Sequence, residues 1–205
     1  MRIKMLLALF IASQCSFAQK SKPYYKSTND VPCPKFYLGL NTGLENPNGI
    51  LGLSIDVPVV EHISARAGVG LSSWGYKFYG EGVGYLGSCH RSWAAGLGVS
   101  RNTGLSKLET TIPTTKGDQD VTFELLPQTN VFLNLYHYFN VGRKGNRFYL
   151  QAGYSVPLSS KAYKIKSDHT LTDDGEAVMK VLRPGGLSLG LGFYFNVSGS
   201  GNSRY

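Results

Sequence analysis

Beyond residue 18 this chain has no run of about 20 apolar residues, so no helix there is built to cross a membrane. Cysteine is scarce: of three in 205 residues only Cys33 and Cys89 lie past residue 18, and two thiols make no disulfide framework. His62, His90, His137 and His169 are scattered without ligand spacing, which argues against a metal site. The glycines do not form a G-x-G-x-x-G turn between a strand and a helix, so neither a phosphate cradle nor a cofactor is expected. No basic segment interleaved with aromatics marks a nucleic-acid surface. Charge is sparse as well, with Asp, Glu, Lys and Arg at 17%.

The alternation that is present is most explicit in residues 186–197. One face carries Leu187, Leu189, Leu191, Phe193, Phe195 and Val197, and the other Gly186, Ser188, Gly190, Gly192, Tyr194 and Asn196. Strands send successive side chains to opposite faces. A face washed by water would hold Lys and Glu, whereas the interior of a narrow filled barrel holds Gly, Ser, Asn and Tyr. Apolar outside and small-polar inside is the pattern of a membrane-spanning strand.

The N-terminus supplies an address. Arg2 and Lys4 precede the apolar run Met5–Ala12, and Ser16-Phe-Ala18 ends in a small residue, so residues 1–18 read as a secretory signal peptide. Lipidation at Cys15 is the rival, disfavoured because Gln14 stands where a small residue is needed. Removing Arg2 and Lys4 lowers the formal charge from +8 to +6, a balance suited to anionic headgroups. Export argues further against nucleic acid as a partner. Residues 19–34 are polar and read as a periplasmic lead-in, 35–197 as an outer-membrane barrel, and 198–205 as a tail.

The signature repeats. Phe36, Leu38 and Leu40 alternate with Tyr37, Gly39 and Asn41; after Asn46-Pro-Asn-Gly49, Leu51 to Val59 alternate with Gly52, Ser54 and Asp56. A third strand starts at Ile63 and is expected to run on through Trp74, Tyr76 and Phe78, followed by a Gly-rich loop, 79–88. A fourth covers Ser92–Ser100, a fifth Lys107–Ile112, a sixth ends at Val141 after a bend at Pro127, a seventh is Arg147–Val156, and the last is 186–197. The expectation is an all-β, eight-stranded antiparallel up-and-down transmembrane β-barrel, whose interior is just filled by side chains. With both termini on one side, 60–62 and 142–146 are short periplasmic turns, while 79–88, 113–120 and 158–184 face outside. The first outside loop is oddly short. Cys33 and Cys89 then lie at opposite ends, too far apart to bridge. Trp74, Tyr76, Trp93, Tyr138, Phe148, Phe193 and Phe195 are candidates for interfacial girdles.

These residues, above all HISARAGVGLSSWGYKF, FYLQAGYSVPL and PGGLSLGLGFYFNV with the cleavage site, resemble the small Gram-negative outer-membrane barrels of the OmpA/OmpX-like kind, in their Bacteroidetes form. The resemblance implies a bacterial outer-membrane location and a monomer without cofactor. It implies outer-membrane lipid, lipopolysaccharide and the barrel assembly machinery as partners. The tail SGSGNSRY departs from barrels that end on an aromatic; Phe193 and Phe195 are expected to serve instead.

Candidate chemistry is thin. His90-Arg-Ser92 is similar to the H-x-S pair of lipid A deacylases, but no acidic partner accompanies it, so a polar strand start is the preferred reading. His137 is assigned to packing, and His62 and His169 to turns and loops. Asp173-Asp-Gly-Glu176 lacks calcium-loop spacing and reads as a solvated loop tip. The constellation taken forward is a lumen network: Asp56, Arg66, Lys107, Glu109, Arg147 and Gln151 all face inward in these registers, and charges in a narrow barrel must pair. The function expected is non-enzymatic, structural or loop-mediated binding with a plugged lumen. The rivals are a lipid A-modifying hydrolase and an exported lipocalin-like binder with a greasy interior. N-terminal sequencing of the exported protein is expected to begin at Gln19; a lipidated Cys15 would refute the cleavage site.

Overall fold

The computed structural model describes residues 36–87, 92–114, 117–142, 145–166 and 172–198. Residues 1–35, which include the proposed signal peptide and Cys33, lie outside them, as do residues 88–91 with Cys89 and His90, and residues 167–171 with His169. The elements are β1 Tyr37–Leu44, β2 Leu51–Val60, β3 Ile63–Ser72, β4 Gly75–Tyr85, β5 Ser92–Asn102, β6 Leu105–Thr114, β7 Gly117–Leu125, β8 Gln128–Val141, β9 Asn146–Pro157, β10 Tyr163–Ile165, α1 Asp173–Leu182 and β11 Gly186–Asn196. Eight of the strands close a barrel in the order β1-β11-β9-β8-β5-β4-β3-β2, every pair antiparallel. Apart from the inserted β6, β7 and β10, this is an up-and-down meander.

Polarity is inverted relative to a water-soluble protein. Along β2 the apolar Leu51, Leu53, Ile55 and Val57 are exposed, while Gly52, Ser54 and Asp56 are buried. Leu53 and Leu97 are each 62% exposed and Leu187 68%, yet Asp56 is 0% and Arg147 1% exposed. The apolar exterior is continuous around all eight barrel strands except along β4. Such a surface is stable only against hydrocarbon, and the closed barrel satisfies its own backbone there. The chain is thus a transmembrane β-barrel. The greasy interior of a lipocalin-like barrel is ruled out by these same side chains.

The termini mark one end of the barrel: Tyr37 pairs with Asn196, and the Val197 amide donates to the Phe36 carbonyl over 3.1 Å. The connection 61–62, the end of β4 with the start of β5, and the end of β8 with the start of β9 share that terminal end. The opposite end carries 45–50, 73–74, the end of β5 with the start of β8, and the end of β9 with the start of β11. Here β6, β7 and β10 form a second sheet that packs with α1 into a cap. Its core is Trp74, Val121, Phe123, Leu125, Ala162 and Met179. Trp74 comes from the β3–β4 turn, and its indole Nε1 donates to the Leu126 carbonyl at 2.9 Å, fastening cap to barrel.

Several sequence expectations are corrected. The eight-strand count is right, but its membership is not. Residues 75–85 are neither an extension of the third strand nor an outside loop; they are β4, a full barrel strand, with the third strand ended by the 73–74 turn. The outward face of β4 carries Gly80, Gly82 and Gly84 in place of large apolar residues, so the alternation that marks its neighbours breaks off there. Residues 107–112 belong to β6 in the cap, not to the barrel. Cys33 and Cys89, expected too far apart to bridge, both lie outside the described residues. Asp173–Glu176 is no loop tip but the first turn of α1, where carboxylates complement the helix dipole and the Thr172 hydroxyl accepts from the Gly175 amide at 3.3 Å.

The girdle is redrawn too. Trp74 is in the cap and Tyr138 in the lumen. Trp93, His137, Phe139, Phe148, Phe193 and Phe195 form an outer belt on adjacent strands near the terminal end. His137 packs there between Trp93 and Phe139, each at 4.5 Å.

Inward and outward glycines should respond differently to enlargement. A Cβ at Gly70 would collide with the Asn48 and Leu51 carbonyls, whereas one at Gly82 meets nothing within 4 Å. Gly70→Val is expected to cost about 1–3 kcal/mol, and Gly82→Val close to nothing. Leu53→Lys or Leu135→Lys, if near the bilayer midplane, should cost about 2–4 kcal/mol. Reversible urea unfolding in lipid vesicles measures all four; tolerated Lys variants would refute the lipid-facing assignment.

Candidate functional site in the barrel lumen

The interior is filled from both ends by different means. Toward the terminal end lies an ionic layer built by three adjacent strands whose registers place Asp56 opposite Arg66 and Arg66 opposite Glu81. Asp56 Oδ2 accepts from Arg66 Nη2 at 3.1 Å, from Arg147 Nη2 at 2.5 Å and from the Tyr85 hydroxyl at 3.1 Å. Arg66 also donates through Nη1 to Glu81 Oε2 at 3.3 Å and through Nη2 to the Tyr138 hydroxyl at 2.6 Å. The Tyr136 hydroxyl donates to the Glu81 carboxylate, 2.7 and 2.9 Å from its two oxygens. Two carboxylates thus meet two guanidiniums, and this layer carries no net charge.

Aromatic rings complete its enclosure. The Arg147 guanidinium lies 3.9 Å from the Tyr37 ring centroid and 4.6 Å from that of Tyr138; Arg66 lies 4.6 Å from Tyr136 and 5.1 Å from Tyr194. Guanidinium on an aromatic face is attractive and strengthens as water is removed. Polar side chains extend the layer along the barrel. Asn134 Nδ2 donates to Glu81, and Gln151 Nε2 donates to Asn134 Oδ1 at 3.0 Å. On the opposite wall the Tyr149 hydroxyl donates to Asn41, Asn41 Nδ2 donates to Ser54 at 2.8 Å, and Ser54 donates to the Tyr194 hydroxyl at 3.1 Å.

The second closure is the β1–β2 connection. Asn46, Pro47, Asn48 and Gly49 are all buried, so this loop folds into the mouth of the barrel. That is why it is short. The Asn46 side chain turns the loop by accepting from the Asn48 amide at 3.0 Å, and Gly49 takes φ +75° to complete it. Inward-facing Gly43, Gly52, Gly68, Gly70 and Gly190 form its seat, since a Cβ on any of them would strike Asn46 or Asn48.

Of the sequence candidates, Asp56, Arg66, Arg147 and Gln151 are buried here together. Lys107 and Glu109 are not part of the lumen. They sit on β6 in the cap, pair with each other at 2.6 Å, and are 67% and 61% exposed. The error follows from assigning β6 to the barrel. Glu81, Tyr136 and Tyr138 complete the ionic layer; Glu81 carries no sequence signal because its strand reads as a Gly-rich loop. Ser92, exposed with φ +74°, begins β5 at the terminal end, away from the cap. Among the described residues no group of three His, Cys, Asp or Glu side chains can hold a metal ion. In the cap, burial and the Glu176 carboxylate both hold the Tyr163 phenol above its usual range, so it stays neutral.

A closed barrel with a lipid-compatible exterior and a charge-neutral ionic layer inside defines the class: a small membrane-spanning β-barrel. Among solved structures the chain is similar to the N-terminal β-barrel domain of Pseudomonas aeruginosa OprF, at 10% identity and a TM-score of 0.38, over 78% of this chain and 95% of that one. No family model and no curated protein matches it.

Asp56 serves two cations, so its loss should be strongly damaging. Asp56→Asn is expected to cost about 3–5 kcal/mol, because it leaves two guanidiniums facing one carboxylate. Arg66→Met breaks the same Asp56–Arg66 pair and returns the layer to zero net charge, so the double variant should lose less than the two singles summed. Unfolding free energies in vesicles that simply add would show that these charges are hydrated and independent.

Proposed function

We propose that the protein is a non-enzymatic bacterial outer-membrane barrel whose cap faces the cell exterior and whose role is structural or one of surface binding. The short turns and both termini then face the periplasm, in keeping with export through residues 1–18. The observation that carries the reading is the charge-neutral layer of Asp56, Glu81, Arg66 and Arg147, which fills the lumen where a conducting pore would need water. The inward-folded 46–49 loop is a second obstruction in the same tube. What remains available to other molecules is the cap and the barrel's outer surface. A lipid A hydrolase would need a nucleophile, base and acid at the outer rim, and Ser92 stands at the other end.

Fractionation is expected to recover the protein in the outer membrane, with gel mobility that shifts on heating. In planar bilayers the purified barrel should give no steady conductance above the bare membrane. A stable large conductance would overturn the plugged-lumen reading, and a lipid A mass altered by expression of the protein would overturn the non-enzymatic one.

A further inference from the structure

The cap rejoins the barrel through a groove that the lumen network does not touch. It lies between the last turn of α1 and the outer side of β9, encloses about 270 Å3, and is lined by Tyr154, Val156, Lys180, Arg183, Gly185 and Gly186 among others. Its two walls differ in kind. One belongs to the lipid-facing surface: Tyr154 and Val156 are 59% and 51% exposed, and Leu187, paired with Tyr154 in the sheet register, continues it on β11. The other is cationic. Lys180 is exposed, and Arg183 is held by donating through Nη2 to the Ser159 carbonyl, while its buried Nε has no partner among the described residues. No carboxylate is found among the groove's described lining residues.

The helix dipole favours a cation in the last turn of α1 and so accounts for Lys180 alone. It does not explain a second cation beyond the helix with an unused donor, placed beside an apolar wall. Tyrosine on a barrel's outer face marks the level where hydrocarbon gives way to headgroups. A ligand with acyl chains and an anionic headgroup meets both walls at once: chains along Tyr154, Val156 and Leu187, charge on Lys180 and Arg183. We propose that this groove binds the phosphorylated headgroup of an outer-leaflet lipid. The inference rests on the reading that the barrel crosses an outer membrane with its cap outside.

Native mass spectrometry of the full barrel in detergent tests it, with three probes: bisphosphorylated lipid A, the same lipid stripped of phosphate, and inorganic phosphate. The phosphorylated lipid should be retained about tenfold better than the stripped one, a difference of about 1.4 kcal/mol. Inorganic phosphate should neither bind measurably nor displace it. Lys180→Gln/Arg183→Gln should weaken retention by about tenfold or more. Lys180→Gln alone, which leaves the Arg183 contact with Ser159 in place, should weaken it measurably and decides the matter if the double variant fails to fold. Lys164→Gln, on β10, should change nothing. Heat-modifiable mobility is recorded for every variant. Unchanged retention in Lys180→Gln with intact mobility, equal retention of the stripped lipid, or occupation by a protein in place of lipid would each overturn the groove assignment. A wild-type mobility that heating does not shift would instead refute the membrane-barrel reading on which it depends.

Discussion

Two carboxylates and two guanidiniums stand inside a tube only eight strands around, with little space for water to solvate them. An unpaired ion there would cost several kcal/mol, so each charge needs a partner held in a fixed place. That requirement reaches into the backbone. Asp56, Arg66 and Glu81 lie directly opposite one another on β2, β3 and β4. A slip of one residue between these strands would turn a charge into hydrocarbon; a slip of two would separate the pairs. Arg147 reaches Asp56 from β9, tying the two sides of the barrel together. The ionic layer therefore fixes register and closure together, while hydrophobic burial against lipid sets only which face points out.

Filling the tube with such large groups dictates where glycine goes. Gly96 leaves room for the Glu81 carboxylate, Gly153 for Asn134, Gly192 for Tyr149 and Gly39 for Tyr194. Toward the cap, glycines on β1, β2, β3 and β11 make the space into which the 46–49 loop descends. The interior is thus packed by contrast in size, bulky Tyr and Arg beside bare backbone, much as an ordinary core packs by interdigitation. Gly80, Gly82 and Gly84 are different in kind: they face outward, and a Cβ there would meet at most the Ala95 carbonyl at 3.9 Å.

This distinction explains what could be read from the sequence. Strands with Leu, Val or Phe on one face and Gly, Ser or Tyr on the other, such as β2 and β11, announce both their existence and their orientation. Asp56 and Arg66 could be placed opposite each other by counting from the tight turn at 61–62. β4 is not legible that way: Tyr76 and Phe78 start its outward face, but Gly80, Gly82 and Gly84 leave the rest bare, and Glu81 lies in that half. β6 misled for the opposite reason: its alternation of Leu108 and Thr110 with Lys107 and Glu109 is real, but describes a sheet half covered by the cap core. Period-two alternation reports that a strand has two unlike faces. It does not report whether lipid, water or another sheet lies against them.

The cap has a physical logic of its own. Long connections between barrel strands would otherwise carry unpaired backbone, yet here β6, β7 and β10 pair into a sheet that packs with α1 and is pinned through the Trp74 indole to the Leu126 carbonyl. Loops built this way pack around a core of their own, formed by Trp74, Val121, Phe123, Leu125, Ala162 and Met179. Lys180 and Arg183 are carried on such a scaffold, and the adjoining wall belongs to the barrel itself. A lumen closed by an ionic layer and an inserted loop leaves the outer surface as the place where this molecule can recognise anything. The cap holds its cations where that surface passes from lipid to water.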